Sequence, residues 1–320
     1  MLLPALLVSG CGGSAPQSDT SSTSEAPSST SQPSNVDTPV LVGLPAEVGE
    51  WVVRISRIAP NADPEIVPLA PFNLSSPEGQ RRFMVRVEAA YVGEISGRPA
   101  NLEFALIGTT GVEFDAMTSP CGVIPSPLAD VGEIFRGGSS AGNACWQIPA
   151  VDAEKPVLRV ESGESAVFLS ADPNAGVVSG SVVPDGIARF EIEPVPFGDS
   201  TRVGDWELRV VNAQTSPGPS EDLKTVLVEM EATLVDGAAS MFWVGLDVDP
   251  IGSNLSVFEA GAYSCEPPGV SIEASGEIST GETVAGWLCW NLPISEVVGL
   301  ALVIRDAAGE TADLVFMAIE

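Results

Sequence analysis

Four of this chain's five cysteines repeat in a fixed pattern, and that pattern limits the fold more than any other feature. Cys121 and Cys145 stand 24 positions apart, as do Cys265 and Cys289, and 144 positions separate one pair from the other. The flanking text repeats as well: Cys145-Trp146-Gln147-Ile148-Pro149 is echoed by Cys289-Trp290-Asn291-Leu292-Pro293. One domain is therefore written twice. Four cysteines admit three pairings, and the duplication favours Cys121–Cys145 with Cys265–Cys289. Closing a loop of that size across a domain stabilises it by roughly 3–4 kcal/mol in the chain-entropy model. Lone cysteines this far apart, with no C-x-x-C spacing, argue against zinc or thiol redox chemistry. Structural disulfides call for an oxidising compartment.

At 320 residues and 44% hydrophobic residues, the chain can fill two ordinary cores. Asp and Glu number 43 against 14 Lys and Arg, a formal net charge of −29. A field of that sign repels nucleic acid and anionic lipid surfaces. It suits solubility, a cationic ligand or divalent ions. Histidine is absent, which removes the Ser-His-Asp and Cys-His catalytic sets and the commonest zinc ligand. An enzyme would have to work through paired carboxylates, a Ser-Lys pair or an oxygen-liganded metal.

The N-terminus reads as an address. Met1 to Cys11 is an apolar run far shorter than the roughly 20 residues that span a bilayer. Its end, Val8-Ser9-Gly10-Cys11, resembles the lipobox of bacterial lipoprotein signal peptides, although no Lys or Arg precedes it. That resemblance implies that Cys11 carries a lipid and becomes the new N-terminus. Residues 12–45 open on Ser, Thr, Pro and Gln, which cannot bury enough surface to offset ordering entropy, so a disordered tether is expected there.

The copies begin alike, at Val48-Gly49-Glu50-Trp51 and Val203-Gly204-Asp205-Trp206, and each leads into alternating apolar and polar residues. Phe83-Met84-Val85-Arg86-Val87-Glu88-Ala89 is then matched by Thr225-Val226-Leu227-Val228-Glu229-Met230-Glu231-Ala232 as a long strand. Leu102–Ile107 is paralleled by Met241–Leu246, and the Cys-Trp strand follows. Short strands between Gly, Pro, Asn and Asp turns predict an all-β fold, one antiparallel β-sandwich per copy. The expected divisions are 46–171 and 201–320 for the copies, with 172–200 as a linker in which 188–192 could add an edge strand. Trp51, Trp146, Trp206 and Trp290 are expected to act as structural anchors, with Trp146 and Trp290 near the disulfides. Trp243, Trp287 and Tyr263, in apolar runs, are expected in the core.

The Val-Gly-acidic-Trp opening and the long strand precede Gly137-Gly138-Ser139-x-x-Gly142-x-x-Cys145-Trp146-x-Ile148-Pro149, which recurs from Gly281 to Pro293. Together they resemble the immunoglobulin-like extracellular domain catalogued as domain of unknown function 4352, found in lipoproteins of Gram-positive bacteria. They are similar in turn to secreted immunogenic β-sandwich antigens of mycobacteria. The resemblance implies two tandem immunoglobulin-like β-sandwiches displayed on the outer face of the cell membrane. It brings no catalytic residues.

Chemistry-bearing motifs are sparse. Asp247, Asp249 and Asn254 place oxygen ligands around a Gly-containing turn, a weak calcium candidate. Ile251 sits where the EF-hand loop needs a ligand, and an ordinary acidic turn explains the run as well. Gly137-Gly138-Ser139-Ser140 lacks the Lys of a phosphate loop. No cofactor is expected. The expected role is a non-catalytic module for an unidentified protein or small-molecule ligand, tethered to the membrane through Cys11. The alternatives are a structural surface spacer and a carboxylate-based hydrolase.

Overall fold

Each copy starts where a tight turn meets two apolar anchors. In copy one, β1 (Ala46–Val48) pairs antiparallel with β2 (Trp51–Ala59), Val48 opposite Trp51. The two-residue loop between them puts Gly49 at φ 58°, the left-handed region that only glycine enters freely. Copy two repeats the device with β11 (Ser200–Val203), β12 (Trp206–Pro217) and Gly204 at φ 54°. The Val-Gly-acidic-Trp text is thus a hairpin signal.

In this computed structural model, residues 34–116, 118–259, 263–307 and 314–319 are described. Cys11, the signal peptide at 1–11 and most of the tether lie outside them. The remaining strands of copy one are β3 (Gln80–Tyr91), β4 (Ser96–Gly97), β5 (Glu103–Ile107), β6 (Glu113–Asp115), β7 (Ile134–Phe135), β8 (Ser139–Pro149), β9 (Val157–Ser162) and β10 (Ser165–Ser170). Copy two continues with β13 (Leu223–Leu234), β14 (Ser240–Met241), β15 (Leu246–Ile251), β16 (Glu277–Ile278), β17 (Thr283–Pro293), β18 (Ala301–Asp306) and β19 (Val315–Ala318). The fold is all-β.

The duplication extends to topology. Sheet β1-β2-β3-β8 corresponds to β11-β12-β13-β17, and β10-β9-β5 corresponds to β19-β18-β15. Even an irregularity is copied: a register shift between Ile55 and Arg57 recurs between Val210 and Asn212. In copy one the two sheets face each other across a core in which Val53, Phe83, Val85 and Trp146 meet Leu106, Leu158 and Val160. In copy two Leu208, Val228, Leu288 and Trp290 meet Leu246, Leu302 and Ile304. Alternation along β3 drives this: Phe83, Val85, Val87 and Ala89 turn inward, while Arg86 and Glu88 turn outward. On the outer face Arg54 and Glu88, opposite in register, form an ion pair at 2.7 Å.

Three expectations need correction. Met241–Leu246 is not the counterpart of Leu102–Ile107; Phe242–Gly245 forms a helical turn, and the matching strand is Leu246–Ile251. An apolar run of that length is ambiguous by periodicity alone. Residues 34–44, read as tether, lie against copy one: Val40 bonds to Phe168 and Ser170 at 2.8 and 2.7 Å, and Val42 is buried in the core. The apolar residues in that stretch find a sheet edge with free backbone groups. The segment 172–200, expected as a linker, is mostly exposed but touches both copies, with Val182 buried beside Val52 and Ala90, and Val195 bonded to Phe316 at 2.8 Å. Residues 188–192 form no strand, although Phe190 bonds to Arg136 at 2.9 Å.

The copies share a third core. Residues 133–139 run antiparallel to 254–257, with bonds from Phe135 to Leu255 at 2.9 Å, Val257 to Glu133 at 2.8 Å and Ser139 to Asn254 at 3.0 Å. Phe135 from copy one packs with Ile251, Leu255, Val257, Val303 and Phe316 from copy two, and Phe190 and Ile192 of the connecting segment close over them. Arg98 pairs with Glu259 at 2.5 Å and Arg305 with Glu133 across the same seam. From Pro33 onward the chain forms one compact unit.

Candidate functional site: an edge cavity beside the first disulfide

Both expected disulfides are formed, Cys121–Cys145 with Cα atoms 5.9 Å apart and Cys265–Cys289 at 5.1 Å. They do not cross between the sheets. Successive strand residues face opposite ways, so Trp146 enters the copy-one core while Cys145 faces out, grouped with Ala59, Ala62, Ile66, Met84 and Cys121. The disulfide ties the preceding loop to the outer face of the edge strand β8. Trp51, Trp206 and Trp290 are likewise buried in their cores. Removing Cys121 and Cys145 together by alanine substitution is expected to lower stability by roughly 3 kcal/mol, read as a shift in the denaturation midpoint.

The loop that this disulfide holds walls a cavity of about 690 Å³ at the open edge of copy one, between β8 and β5. Leu102, Phe104 and Leu128 line one side, and Ile124 with the Cys121–Cys145 bridge lines the other. The loop lies close because β8 is small there: a Cβ added at Gly142 would fall 2.4 Å from Leu128 Cα. Asn143 N–H donates to Ser126 O at 2.8 Å, and Ser126 takes a positive φ of 40° to reach it.

Asn143 borders this cavity. It is 7% exposed, and its Nδ2 donates to Pro125 O at 2.6 Å. That acceptor fixes the amide's orientation, since the reverse placement would set two oxygens face to face. Oδ1 is left buried with no hydrogen-bond partner among the described residues. A neutral acceptor left so costs about 1–3 kcal/mol. Glu103 and Asp115 also line the cavity and make its polar side acidic.

Copy two occupies the equivalent place with its own side chains. Trp287 and Leu288 stand at the positions of Asn143 and Ala144, shown by the 144-residue offset that also relates the disulfides. The backbone is conserved between copies: Trp287 N–H donates to Val270 O at 2.9 Å, and Gly286 meets Ile272 as Gly142 meets Leu128. The Trp287 ring lies over Gly269, whose added Cβ would be 3.0 Å from it. Pro125, at the corresponding position, instead receives the Asn143 bond. Leu288 is buried in the copy-two core.

A second concavity, about 850 Å³, lies between the copies and is predominantly polar, lined by Arg86, Glu88, Ser139, Ser140, Asn254 and Glu296 among others. Tyr263 borders it, its phenol pushed up by burial and then by the Asp130 carboxylate of copy one. The calcium candidates sit near this seam but serve the fold. Asn254 gives its backbone N–H to Glu296 at 3.0 Å and its amide to the same carboxylate. Asp247 faces Arg305 across β18 at 3.9 Å, and Asp249 is buried. Among the described residues no group of three or more His, Cys, Asp or Glu converges as a metal site.

Trp243, expected in the core, is 57% exposed on the helical turn. Trp287 and Tyr263 are half-buried. The cavity residues Asn143, Ala144, Ile124 and Leu128 were not foreseen from the sequence. The one signal for them is the mismatch of Asn143-Ala144 with Trp287-Leu288 inside otherwise matching text.

No family model matches the chain, and no curated protein matches it. Among solved structures, a conserved hypothetical protein from Bacillus anthracis aligns over 38% of this chain and 94% of its own, at 10% identity and a TM-score of 0.25.

Proposed function

We propose that this chain is a lipid-anchored envelope protein whose two immunoglobulin-like β-sandwiches form a non-catalytic binding module. The edge cavity of copy one is its ligand site. The observation that carries this reading is a mostly apolar cavity of about 690 Å³ at the edge of copy one, the size and make-up typical of small-molecule sites. A spacer that only holds charge at the cell surface has no use for such a cavity.

The address rests on Val8-Ser9-Gly10-Cys11 and on the disulfide-stapled fold, which suits an oxidising compartment. Cys11→Ser is expected to move the protein from the membrane fraction to the soluble fraction. Mass spectrometry of the wild type should find an acylated Cys11 as the N-terminus. Undiminished membrane retention of the variant would overturn the anchor and leave the cavity's role to be judged separately.

A further inference from the structure

We propose that the polar cleft between the copies is a second binding site, independent of the edge cavity, and that it takes a short peptide with free ends. The peptide's carboxylate lies on Arg86, its amide on the open edge of β8 at Ala141, and its ammonium group toward Asp222 of copy two.

Arg86 sets the place of the anion. β3 is a central strand whose backbone pairs with β2 on one side and β8 on the other. Val85 and Val87 point into the core, so the part of Arg86 that lines the cleft is its outward side chain. The residue is half-buried, its guanidinium has no ion-pair or hydrogen-bond partner among the described residues, and none of its nitrogens is shut off from solvent. Glu88, on the same face, is spent on Arg54 at 2.7 Å. In register Arg86 stands opposite Arg57, a like-charge pair that weakens a sheet. Copy two carries Glu229 at the equivalent place, opposite Trp287 as Arg86 is opposite Asn143. The fold does not ask for a cation there, whereas a carboxylate would use its paired donors.

The edge of β8 supplies the partner for an amide. Tyr91 N–H donates to Gly138 O, so along this ladder the even residues of β8 bond to β3 and the odd ones turn their backbone groups away. Two of these outward N–H groups are taken: Ser139 donates to Asn254 O at 3.0 Å and Asn143 to Ser126 O at 2.8 Å. Ala141 lies between them, half-buried, and lines the cleft. Its outward N–H and C=O have no partner among the described residues. A free donor and acceptor on one edge residue is what an extended peptide pairs with.

The facing wall belongs to copy two. Asp222 is exposed there, and Phe258 and Tyr263 stand edge to face with centroids 5.0 Å apart. The carboxylate favours an ammonium group, and the rings suit one apolar side chain of the ligand. A peptide with both ends free carries no net charge, so the chain's charge of −29 does not repel it. The volume of about 850 Å³ lies within the range of small-ligand sites.

The test is titration calorimetry on the full chain with alanyl-phenylalanine, its C-terminal amide, its N-acetyl form and free phenylalanine. The uncapped dipeptide should bind tightest, with each of the other three weaker by roughly tenfold. Arg86→Gln should weaken the dipeptide about tenfold and leave the C-terminal amide unchanged, so that the two bind alike. Ala141→Pro removes one N–H at an edge position that tolerates proline; it should weaken the dipeptide roughly fivefold and free phenylalanine not at all. Ala144→Leu, which crowds the edge cavity only, should leave the dipeptide's affinity unchanged.

Equal binding of the dipeptide and its C-terminal amide by the wild type, or no loss in Arg86→Gln, would overturn the role of Arg86. Free phenylalanine binding as tightly as the dipeptide would overturn the peptide assignment, and this reading stands even if Ala141→Pro fails to fold. Loss of dipeptide binding in Ala144→Leu would move the ligand to the edge cavity. Failure of the dipeptide to bind at millimolar concentration would overturn the site while leaving the edge cavity untouched.

Discussion

Phe135→Ala is expected to destabilise the protein by roughly 3–5 kcal/mol, the usual cost of removing a buried phenylalanine, and to separate the unfolding of the two copies. Phe135 is 1% exposed and belongs to copy one by sequence, yet its ring packs on Phe190 at 4.8 Å and Phe316 at 5.7 Å. Every neighbour in its cluster comes from copy two or the connecting segment. The backbone pairing of 133–139 with 254–257 would remain, but without the ring it would span a cavity. Surface ion pairs such as Arg98–Glu259 are each worth only about 0–1 kcal/mol, so they cannot hold the seam alone. Calorimetry should record one cooperative transition for the wild type and two partly resolved transitions for Phe135→Ala. A single transition shifted by less than about 1 kcal/mol would show that the copies are coupled by something other than this core.

That seam marks the boundary of what the sequence made legible. The duplication was readable because Cys121–Cys145 and Cys265–Cys289 repeat at one spacing and carry their Trp with them. Strand identity followed from alternation that burial enforces, as along Phe83, Val85, Val87 and Ala89. What alternation cannot encode is which surface meets which. Ile134-Phe135 reads as any short apolar run, and the copy-two partners of Phe135 lie more than a hundred residues away. Val40 and Val42 were hidden in the same way, because a sheet edge elsewhere decides whether a Ser-rich segment's last apolar residues are ordered. Phe242-Trp243-Val244-Gly245 misled for the opposite reason: its hydrophobicity is real, but half of it faces outward on a helical turn. The cavity was the least legible feature of all. It depends on small residues, Gly142 and Ala144, that let a loop approach, and absence of bulk has no signature until the two copies are compared position by position.

The second large effect concerns the tryptophans that follow the second cysteine of each pair. Trp146→Ala and Trp290→Ala are each expected to cost roughly 3–5 kcal/mol, because the side chains are 0% and 1% exposed at the centres of their cores. The comparison with phenylalanine is more revealing at Trp146. Its indole Nε1 is buried without a hydrogen-bond partner among the described residues, beside Phe83 across the strand pair. An orphan donor in an apolar core carries a desolvation cost of about 1–3 kcal/mol. Trp146→Phe removes that donor along with some ring volume, and the two effects oppose each other. The phenylalanine variant should therefore retain most of the stability that alanine loses, with a net change of about 1 kcal/mol or less. Chemical denaturation of both variants decides the matter. If Trp146→Phe were as damaging as Trp146→Ala, the indole nitrogen would have to be engaged, and the core of copy one would owe its stability to a polar contact rather than to packing.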